Sequence, residues 1–411
     1  MPKMSRSLIA LFACASGLSV ANVYYAQPLL DALAADFAIG RAAIGGVITI
    51  TQVGSVLALL LLVPLGDLLP RRRLMLAQLL ALTAALAGVS LASNAIALMM
   101  GMLTVGMLGT AMTQGLIAYA ASASAESERG RVVGAAQGGV VAGLLLARAL
   151  AGLIADVAGW RAVYAGSALA MIAMALLLRR ALPVLPATAR PLPYPQLIAS
   201  MVTQLRRNRV LRVRGTIAML MFAAFGILWS ALVLPLSAPP YNYSHTAIGA
   251  FGLVGLAGTL AASRAGQWAD RGWAQRTSGG ALLLLLLSWV PLGLFGASSG
   301  TVALASLIGG ILALDLGVQA LQVTNQSLIF RASSEAHSRL VGCYMLFYAV
   351  GSGSGAIAAT SIYEVAGWTG VCALGGTVSA AALLFWAATL HEPQCEPQCK
   401  PQGQVRHSDT N

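Results

Sequence analysis

Twelve long apolar runs constrain the fold of this 411-residue chain more than any other feature of its sequence. A helix of about 20 residues crosses the hydrocarbon core of a bilayer, and a helix closes its own backbone hydrogen bonds there. Charged residues make up 9% of the chain, compared with about 25% in a soluble domain. The sequence therefore predicts an all-α integral membrane protein with 12 transmembrane helices, at residues 7–29, 43–63, 74–92, 95–121, 132–155, 161–179, 213–236, 246–265, 277–296, 301–329, 340–362 and 369–389.

The net charge of +12 comes from Lys and Arg residues that cluster on one side of these predicted helices. With the N-terminus inside the cell, every Lys and Arg falls in a cytoplasmic segment except Arg41, Arg161 and the intramembrane Arg148. Loops rich in Lys and Arg stay in the cytoplasm, so we predict a multi-pass protein with both termini cytoplasmic. This distribution makes the lipid bilayer, and not nucleic acid, the partner of the basic segments. The first run has no good cleavage site before Asn22 and is therefore interpreted as a helix, not as a removed signal.

The two halves of the chain repeat each other. A shift of 208 residues (365 − 157) places the Val-Ala-Gly-Trp sequence at 157–160 on the same sequence at 365–368. Six predicted helices separate the two copies, and this even number gives both halves the same orientation in the membrane. The sequence therefore predicts two parallel six-helix repeats around a central cavity.

A linker at 181–212 joins the first bundle, 1–180, to the second bundle, 213–390. Its first part is rich in Pro, and an apolar stripe over 194–205 predicts a short amphipathic helix, which several arginines follow. Two interpretations remain open: this helix lies on the anionic inner leaflet, or the segment is a solvated basic loop that only sets the topology. The polar, Pro-rich residues 391–411 are expected to form a disordered cytoplasmic tail.

A charged loop occurs at matching places in the two halves, after the second and the eighth predicted helices. Each loop carries an Asp and then arginines between two apolar runs: Asp67, Arg71 and Arg72 in the first, and Asp270, Arg271 and Arg276 in the second. The pattern resembles the signature loop of the major facilitator superfamily, Gly-x3-Asp-Arg-x-Gly-x-Arg/Lys-Arg/Lys. The first copy departs from it at Val63, Leu68 and Pro70, whereas the second keeps its first Gly at Gly266.

Further segments, at 22–28, 128–131 and 159–161, resemble the bacterial drug-efflux and sugar-efflux branch of this superfamily. The fifth predicted helix resembles its antiporter signature, with Arg148 in the place of the Pro. The resemblance implies a secondary active transporter of the bacterial inner membrane. It would export small amphipathic molecules, drugs or sugars, in exchange for protons by alternating access. It also implies that the two charged loops latch the halves together on the cytoplasmic side.

Asp315 is the strongest candidate for a proton-carrying residue. It lies about 14 residues, or about 21 Å, into the tenth run, which is near the bilayer centre. A charge at that depth is costly, so it is expected to face a cavity or a partner and to serve function. Gln319 and Gln322 follow it on the same helix face. We hypothesise that Asp315 exchanges a proton because burial disfavours its charged form; the alternative is a structural hydrogen bond or ion pair.

The resemblance implies that the first, fourth, seventh and tenth helices line the central cavity, and their polar and aromatic residues are candidates for substrate contact. Arg148, in the fifth helix, either binds an anionic group of the substrate or pairs with an acid such as Asp31, Asp36 or Asp156. For each residue alone, ordinary hydrogen bonding between helices is the competing interpretation. The candidate set is Asn22, Tyr25, Gln27, Gln114, Arg148, Trp229, Gln319, Gln322 and Asn325.

Glycines mark places where helices are expected to pack closely. Gly249, Gly252, Gly255 and Gly258 form a ladder in the eighth run, hereafter the glycine ladder. Three further pairs have the spacing Gly-x3-Gly: Gly134 and Gly138, Gly139 and Gly143, and Gly351 and Gly355.

Other function classes receive less support from the sequence. Lys3 and Lys400 are its only lysines, so it carries no phosphate-loop lysine for an ATP-driven pump. It has no HExxH or GxSxG motif, which argues against a membrane enzyme, and we predict no cofactor and no metal site. Uptake or facilitated transport of a small metabolite remains an alternative, as does a receptor or scaffold that transports nothing. We expect a monomer that binds a small-molecule substrate and protons.

Overall fold

The computed structural model describes residues 4–126, 128–182, 193–298, 300–332 and 337–390. These residues form helices and connecting turns, and no strand occurs among them. The expected disordered tail, 391–411, lies outside the described residues. The α-helices are α1 Arg6–Tyr24, α2 Leu30–Asp36, α3 Gly46–Leu57, α4 Arg71–Ser90, α5 Ala95–Ala123, α6 Arg129–Ala158, α7 Trp160–Ala181, α8 Tyr194–Arg207, α9 Arg209–Ala231, α10 Val233–Ser237, α11 His245–Ala250, α12 Leu256–Asp270, α13 Ala274–Leu287, α14 Trp289–Ala297, α15 Gly300–Ala332 and α16 His337–Thr389.

Ten helical segments among the described residues are long and apolar enough to cross a membrane. The all-helical membrane prediction is therefore confirmed. The last of these segments, Leu340–Thr389, is 50 residues long and contains a non-helical Gly367, so it covers both of the last two predicted runs. The eighth predicted run is divided among α11, a 3-10 turn at Phe251–Gly255 and α12. Three closely spaced glycines weaken the helix there, which explains why this run is not one continuous helix.

The repeated Val-Ala-Gly-Trp sequence makes the same kind of break in both halves. Gly159 has a φ of 81° and separates α6 from α7. Gly367 has a φ of 58° and a ψ of −156° inside α16. Positive φ values favour glycine because any side chain would be strained there. The shared sequence thus ends a long helix at the corresponding position of each half.

The glycine pairs fasten helices together backbone to backbone within each half. A Cβ at Gly143 of α6 would lie 2.2 Å from the carbonyl oxygen of Gly17 in α1. A Cβ at Gly351 of α16 would lie 2.1 Å from the carbonyl oxygen of Met219 in α9. Gly134, by contrast, has no such neighbour, so only part of the predicted pairs are contact points.

The halves 4–182 and 209–390 meet tightly at one end of the molecule, which we call the opposite end because it lies away from the arginines at 71–73. There the hydroxyl of Thr49 donates to the carbonyl oxygen of Gly353 at 2.7 Å. The hydroxyl of Thr360 donates to the carbonyl oxygen of Ala42 at 2.9 Å. A Cβ at Gly152 would lie 2.0 Å from the carbonyl oxygen of His245, so two backbones also meet there without side chains between them.

The arginine-rich end holds a cavity of about 120 Å³ between α5, the residues after α3, and the linker helix α8. The hydroxyl of Tyr194, at the start of α8, donates to the carbonyl oxygen of Leu61 at 2.9 Å. On the other side of α8, Met201 is buried next to Cys343 of α16. The predicted short helix of the linker is therefore present as α8, and it packs against both halves.

Candidate functional site

Two charged side chains are buried where the two halves meet. Arg148 of α6 has a relative exposure of 2%, and Asp315 of α15 has a relative exposure of 6%. They come from opposite halves of the chain, and the glycine ladder lies between their helices. We call Arg148, Asp315 and the residues that touch them the junction site.

Aromatic rings surround the guanidinium of Arg148. Its central carbon lies 4.0 Å from the ring centre of Trp229, 5.5 Å from that of Phe225 and 5.6 Å from that of Tyr24. The Nε–H donates to Oε1 of Gln27 at 2.7 Å. Its Nη2 is buried without a hydrogen-bond partner, and Arg148 forms no ion pair among the described side chains. Cation–π contacts stabilise the charge but leave part of its hydrogen-bonding capacity unused.

The acids expected as partners of Arg148 have other partners. Asp31 and Asp156 both bind His245, and Asp36 binds Arg161 and the indole N–H of Trp160. The expectation that Arg148 pairs with one of these acids is therefore wrong. These acids lie at the end of the helix bundle, whereas Arg148 lies deeper. Asp315 is the carboxyl whose charge acts on Arg148.

Asp315 fits into space that the glycine ladder leaves free. A Cβ at Gly255 would lie 2.7 Å from Oδ2 of Asp315, and a Cβ at Gly258 would lie 3.0 Å from Cγ of Gln319. The other two glycines of the ladder lie next to Arg148. A Cβ at Gly252 would lie 3.3 Å from Cβ and from Cδ of Arg148. Because these positions are glycines, α6 with Arg148 and α15 with Asp315 can both pack closely against the eighth run.

Trp229 lies between the two charges. Its indole N–H comes close to the carboxyl of Asp315, although the geometry does not make a hydrogen bond. A small cavity of about 10 Å³ opens beside it and is lined by Gln27, Pro28, Arg148, Trp229, Leu232, Val233 and Ile248. This space has room for about one water molecule. Its walls combine one cation and one amide with apolar side chains.

Asn22 and Tyr25 lie elsewhere, against α7. The Oδ1 of Asn22 accepts a hydrogen bond from the hydroxyl of Ser167 at 2.6 Å, and its Nδ2 donates to the carbonyl oxygen of Leu18 at 2.8 Å. The ring of Tyr25 makes an edge contact with Tyr164 at 6.4 Å. Both side chains are buried in contacts within the first half, which is the arrangement expected of packing residues.

The remaining polar candidates are spread along the molecule. Gln319 is part of the junction site through Gly258. Gln114 lines the cavity at the arginine-rich end, together with Gln78. Asn325 is fully buried close to Tyr344, and neither its Oδ1 nor its Nδ2 has hydrogen-bond geometry to a described residue. Gln322 is half-buried on α15. The structure therefore brings Gln27, Arg148, Trp229, Asp315 and Gln319 together and leaves the other candidates outside this group.

The first charged loop is anchored within its own half. The Nε–H of Arg71 donates to the carbonyl oxygen of Gly66 at 2.9 Å, and its Nη1 donates to the hydroxyl of Ser122. Arg72 donates to the carbonyl oxygen of Arg179. In the second loop, Arg271 and Arg276 are exposed. The side chains of Asp67 and Asp270 lie outside the description that the structure gives.

His245 is a site residue that the sequence did not single out. Its Nδ1 lies 3.0 Å from Oδ1 of Asp156 and its Nε2 lies 3.1 Å from Oδ1 of Asp31. The backbone N–H groups of His245 and Thr246 donate to the carboxylate of Asp156 at 3.0 and 2.7 Å. One residue of the second half thus bridges two acids of the first half at the opposite end. The three residues are far apart in sequence, so no local pattern predicts this bridge.

His245 precedes the eighth predicted run, 246–265, and is partly open to solvent. Its hydrogen bond to Asp31 raises the pKa of His245 to about 9, against partial burial, with the charge of Asp31 and the contact with Asp156 adding to the effect. The imidazole is therefore charged at neutral pH. It closes the opposite end as a cation between two anions.

Residues 10–314 of the chain match the model of the Major Facilitator Superfamily. The chain is 40% identical over 399 residues to "Uncharacterized transporter YgaY" of Escherichia coli O157:H7, which covers 95% of this chain and 98% of that protein. It is 31% identical over 391 residues to "Probable transporter SCO4007" of Streptomyces coelicolor, which covers 95% of this chain and 88% of that protein.

Solved structures with little sequence similarity share the fold. The structure of a D-xylose-proton symporter has a TM-score of 0.73 at 15% identity, over 93% of this chain and 97% of that chain. The structure of an auto inhibited POT family peptide transporter has a TM-score of 0.75 at 13% identity, over 96% of this chain and 99% of that chain. At these identities the likeness shows the fold alone.

Proposed function

The chain belongs to the Major Facilitator Superfamily, and from that premise we propose that it is a proton-coupled secondary transporter that exports small amphipathic molecules. The junction site is the observation that carries this proposal. Its carboxyl and its guanidinium come from opposite halves and are buried, and Nη2 of the guanidinium has no hydrogen-bond partner among the described residues. Buried charges that lack a full set of partners are costly, and in membrane proteins they mark pathways of ions and substrates.

In this proposal Asp315 carries the proton, and the cargo crosses the membrane by alternating access. Two parallel bundles of six helices, 12 in all, rock about the junction site. The tight contacts at the opposite end and the cavity at the arginine-rich end fit a carrier that is closed on one side. The positive-inside rule assigns the arginine-rich end to the cytoplasm. The protein then lies in the inner membrane with both termini inside, closed to the outside.

The two charged loops would stabilise the other state, in which the cytoplasmic side is closed. When the arginine-rich ends approach each other, Arg71 and Arg72 exchange their bonds within the first half for partners in the second. Asp67 and Asp270, with Arg271 and Arg276, would then complete a latch. The present bonds of Arg71 to Gly66 and Ser122 are compatible with a latch that is released while the cytoplasmic side is open.

The test measures proton movement in proteoliposomes that contain the full chain and enclose a pH-sensitive dye. A pH gradient is imposed and ethidium, chloramphenicol, arabinose and benzoate are added one at a time. Protein-free liposomes correct for passive permeation. We expect at least one compound to change the proton flux with the wild-type protein, and Asp315→Asn to remove that change.

Glu364→Gln is the matched control, because Glu364 is an exposed carboxyl just before the break of α16 at Gly367. It should transport as the wild type does. If Asp315→Asn kept the full rate and the same pH dependence, Asp315 would not be the coupling residue. If none of the compounds changed the proton flux of the wild-type protein, proton-coupled export would be overturned.

A second candidate, uptake together with a proton, is favoured by one observation. The buried cation of Arg148 next to Asp315 suits a cargo anion that enters while the carboxyl is protonated. Cargo and proton then move in the same direction. The vesicle experiment separates the two candidates, because export by exchange and co-transport change the internal pH with opposite signs.

A further inference from the structure

The junction site contains a cation that its surroundings leave short of partners. The guanidinium of Arg148 is always charged, yet among the described residues it makes one hydrogen bond, to Gln27, and its Nη2 has no partner there. A purely structural arginine at this depth would be expected to have an anion or several acceptors around it. Aromatic faces stabilise the charge and still leave the N–H groups available to a ligand.

From this arrangement we infer that the cargo carries a carboxylate, which the guanidinium of Arg148 binds beside the cavity that Trp229, Leu232, Val233 and Ile248 line. A guanidinium offers parallel N–H donors that match the two oxygens of a carboxylate. The present space holds about one water molecule, so the apolar walls have to move apart to admit the body of an aliphatic or aromatic acid. The inference rests on the proposed transport role of the junction site and names the class of molecule that this site takes.

The same geometry disfavours a cationic cargo. A positively charged molecule that reached Asp315 would also lie next to Arg148, and the repulsion between like charges is large in a buried site. A neutral sugar would leave the free donor of Arg148 without an anion. A carboxylate satisfies the unpaired donor and neutralises the buried charge.

Carboxylate binding also links the cargo to the proton. The described charged and titratable groups around Asp315 are Arg148 on α6 and, beyond it, Tyr24 on α1; Trp229 on α9 and the glycine ladder supply no charge. A cargo carboxylate that takes up the positive charge of Arg148 removes the stabilisation of the Asp315 anion. Asp315 then binds a proton from solution, and cargo and proton cross together without net charge, which is the co-transport of the second candidate above and not exchange.

The test uses the purified full chain in detergent and measures binding, which does not depend on transport. The probes are radiolabelled benzoate, its neutral analogue benzamide and its cationic analogue benzylamine, with acetate to octanoate as competing carboxylates. We expect benzoate to bind at least about tenfold more tightly than benzamide, the effect of one charge-assisted hydrogen bond. Benzylamine should not compete.

Arg148→Gln should lose benzoate binding, and Arg148→Lys should weaken it, because lysine keeps the charge without the paired donors. Arg161→Gln is the matched control: Arg161 is an arginine at the opposite end that pairs with Asp36, and its loss should leave binding unchanged. Since the comparison of the three probes needs only the wild type, the test stands even if Arg148→Gln fails to fold.

Calorimetry in two buffers of different ionisation enthalpy measures the proton. Wild-type protein at pH 7 should take up about one proton for each benzoate bound, by reciprocal linkage, and Asp315→Asn should bind benzoate and take up none. Benzoate binding without proton uptake would keep the carboxylate assignment and overturn the coupling role of Asp315. Benzamide or benzylamine binding as tightly as benzoate, or no binding by any carboxylate of the series, would overturn the carboxylate assignment.

Discussion

Two arginines are buried among the residues that the structure describes, and their surroundings differ. Arg214 of α9 has a relative exposure of 0% and donates to Oγ of Ser278 at 3.2 Å and to Oε1 of Gln275 at 2.8 Å. Gln275 in turn accepts a hydrogen bond from the indole N–H of Trp386. Arg148, at 2% exposure, has one such acceptor and three aromatic faces. Both are equally removed from solvent, so burial alone does not distinguish them.

The difference lies in what the neighbours offer the charge. Polar side chains of α13 and α16 surround Arg214 and tie three helices together at the arginine-rich end. The neighbours of Arg148 hold its position and leave a donor free beside a cavity. A buried arginine held by several side-chain acceptors of a neighbouring helix is a structural element, whereas one with a single such acceptor beside a cavity is set up to bind something that comes and goes.

The largest expected effect comes from Arg148→Gln. Transport of the panel compound that gives the strongest wild-type signal should fall about a hundredfold, since removing one partner of a buried charged contact costs about 2–5 kcal/mol. The thermal midpoint in detergent should stay unchanged or rise, because an incompletely paired buried charge is removed. A strong loss of stability with normal transport would reverse the comparison between the two arginines.

Arg214→Gln should show the opposite pattern. It leaves Ser278 and Gln275 without their donor, and we expect a loss of about 1–3 kcal/mol of stability. Thermal unfolding followed by tryptophan fluorescence measures this loss. The properly folded fraction should transport at nearly the wild-type rate. If transport were abolished in well-folded Arg214→Gln protein, Arg214 would belong to the cargo pathway after all.

Gly255→Ala tests whether the junction site depends on the space beside Asp315. The added Cβ would lie 2.7 Å from Oδ2 of Asp315 and 2.8 Å from Cδ2 of Leu145, so the carboxyl has to move. A displacement of this size should slow transport by about tenfold to a hundredfold. Gly280→Ala, on a helix position with nothing within 4 Å, is the control and should transport normally.

The smallest effect concerns a third cation, His245, which has two anionic partners and partial exposure. The pKa of His245 is raised from 6.5 to about 9 by its contacts, Asp31 first. Its contribution to closure of the opposite end is therefore complete below about pH 6.5 and is lost as the pH rises through about 9. Spin labels at Ala43→Cys and Ser361→Cys, in a chain whose own cysteines are replaced, should move apart above pH 9.

His245→Ala should remove that pH response and leave the labels further apart at neutral pH. Asp36→Asn, at a nearby acid that does not touch His245, is the control. Unchanged label distances in His245→Ala would show that the threonine and glycine contacts hold the opposite end closed without it.

Much of this arrangement could be predicted from the sequence, for physical reasons that apply to single residues. The apolar runs predict the helical membrane fold because lipid leaves the backbone few alternatives. Asp315 could be selected because a carboxyl in the middle of an apolar run needs a special environment. The repeated Val-Ala-Gly-Trp sequence pointed to equivalent positions, which the breaks at Gly159 and Gly367 now occupy.

The partners of Arg148 could not be predicted in this way. They depend on how α6 is rotated against the glycine ladder, and spacing along one helix does not fix that rotation. Asp31 and Asp156 were plausible partners by their position in the chain, but His245 binds both. Asn22 and Tyr25 are polar or aromatic residues of a helix that was expected to line the cavity, yet they contact α7, because composition does not tell which face is turned inward.

The backbone contact at Gly152 has a practical consequence for the study of this carrier. The carbonyl oxygen of His245 occupies the place where a side chain would begin, so any larger residue at position 152 acts as a wedge between the bundles. Gly152→Leu should prop that end apart and trap the outward-facing conformer. Such a variant would give a single conformation for crystallisation and for the selection of antibodies.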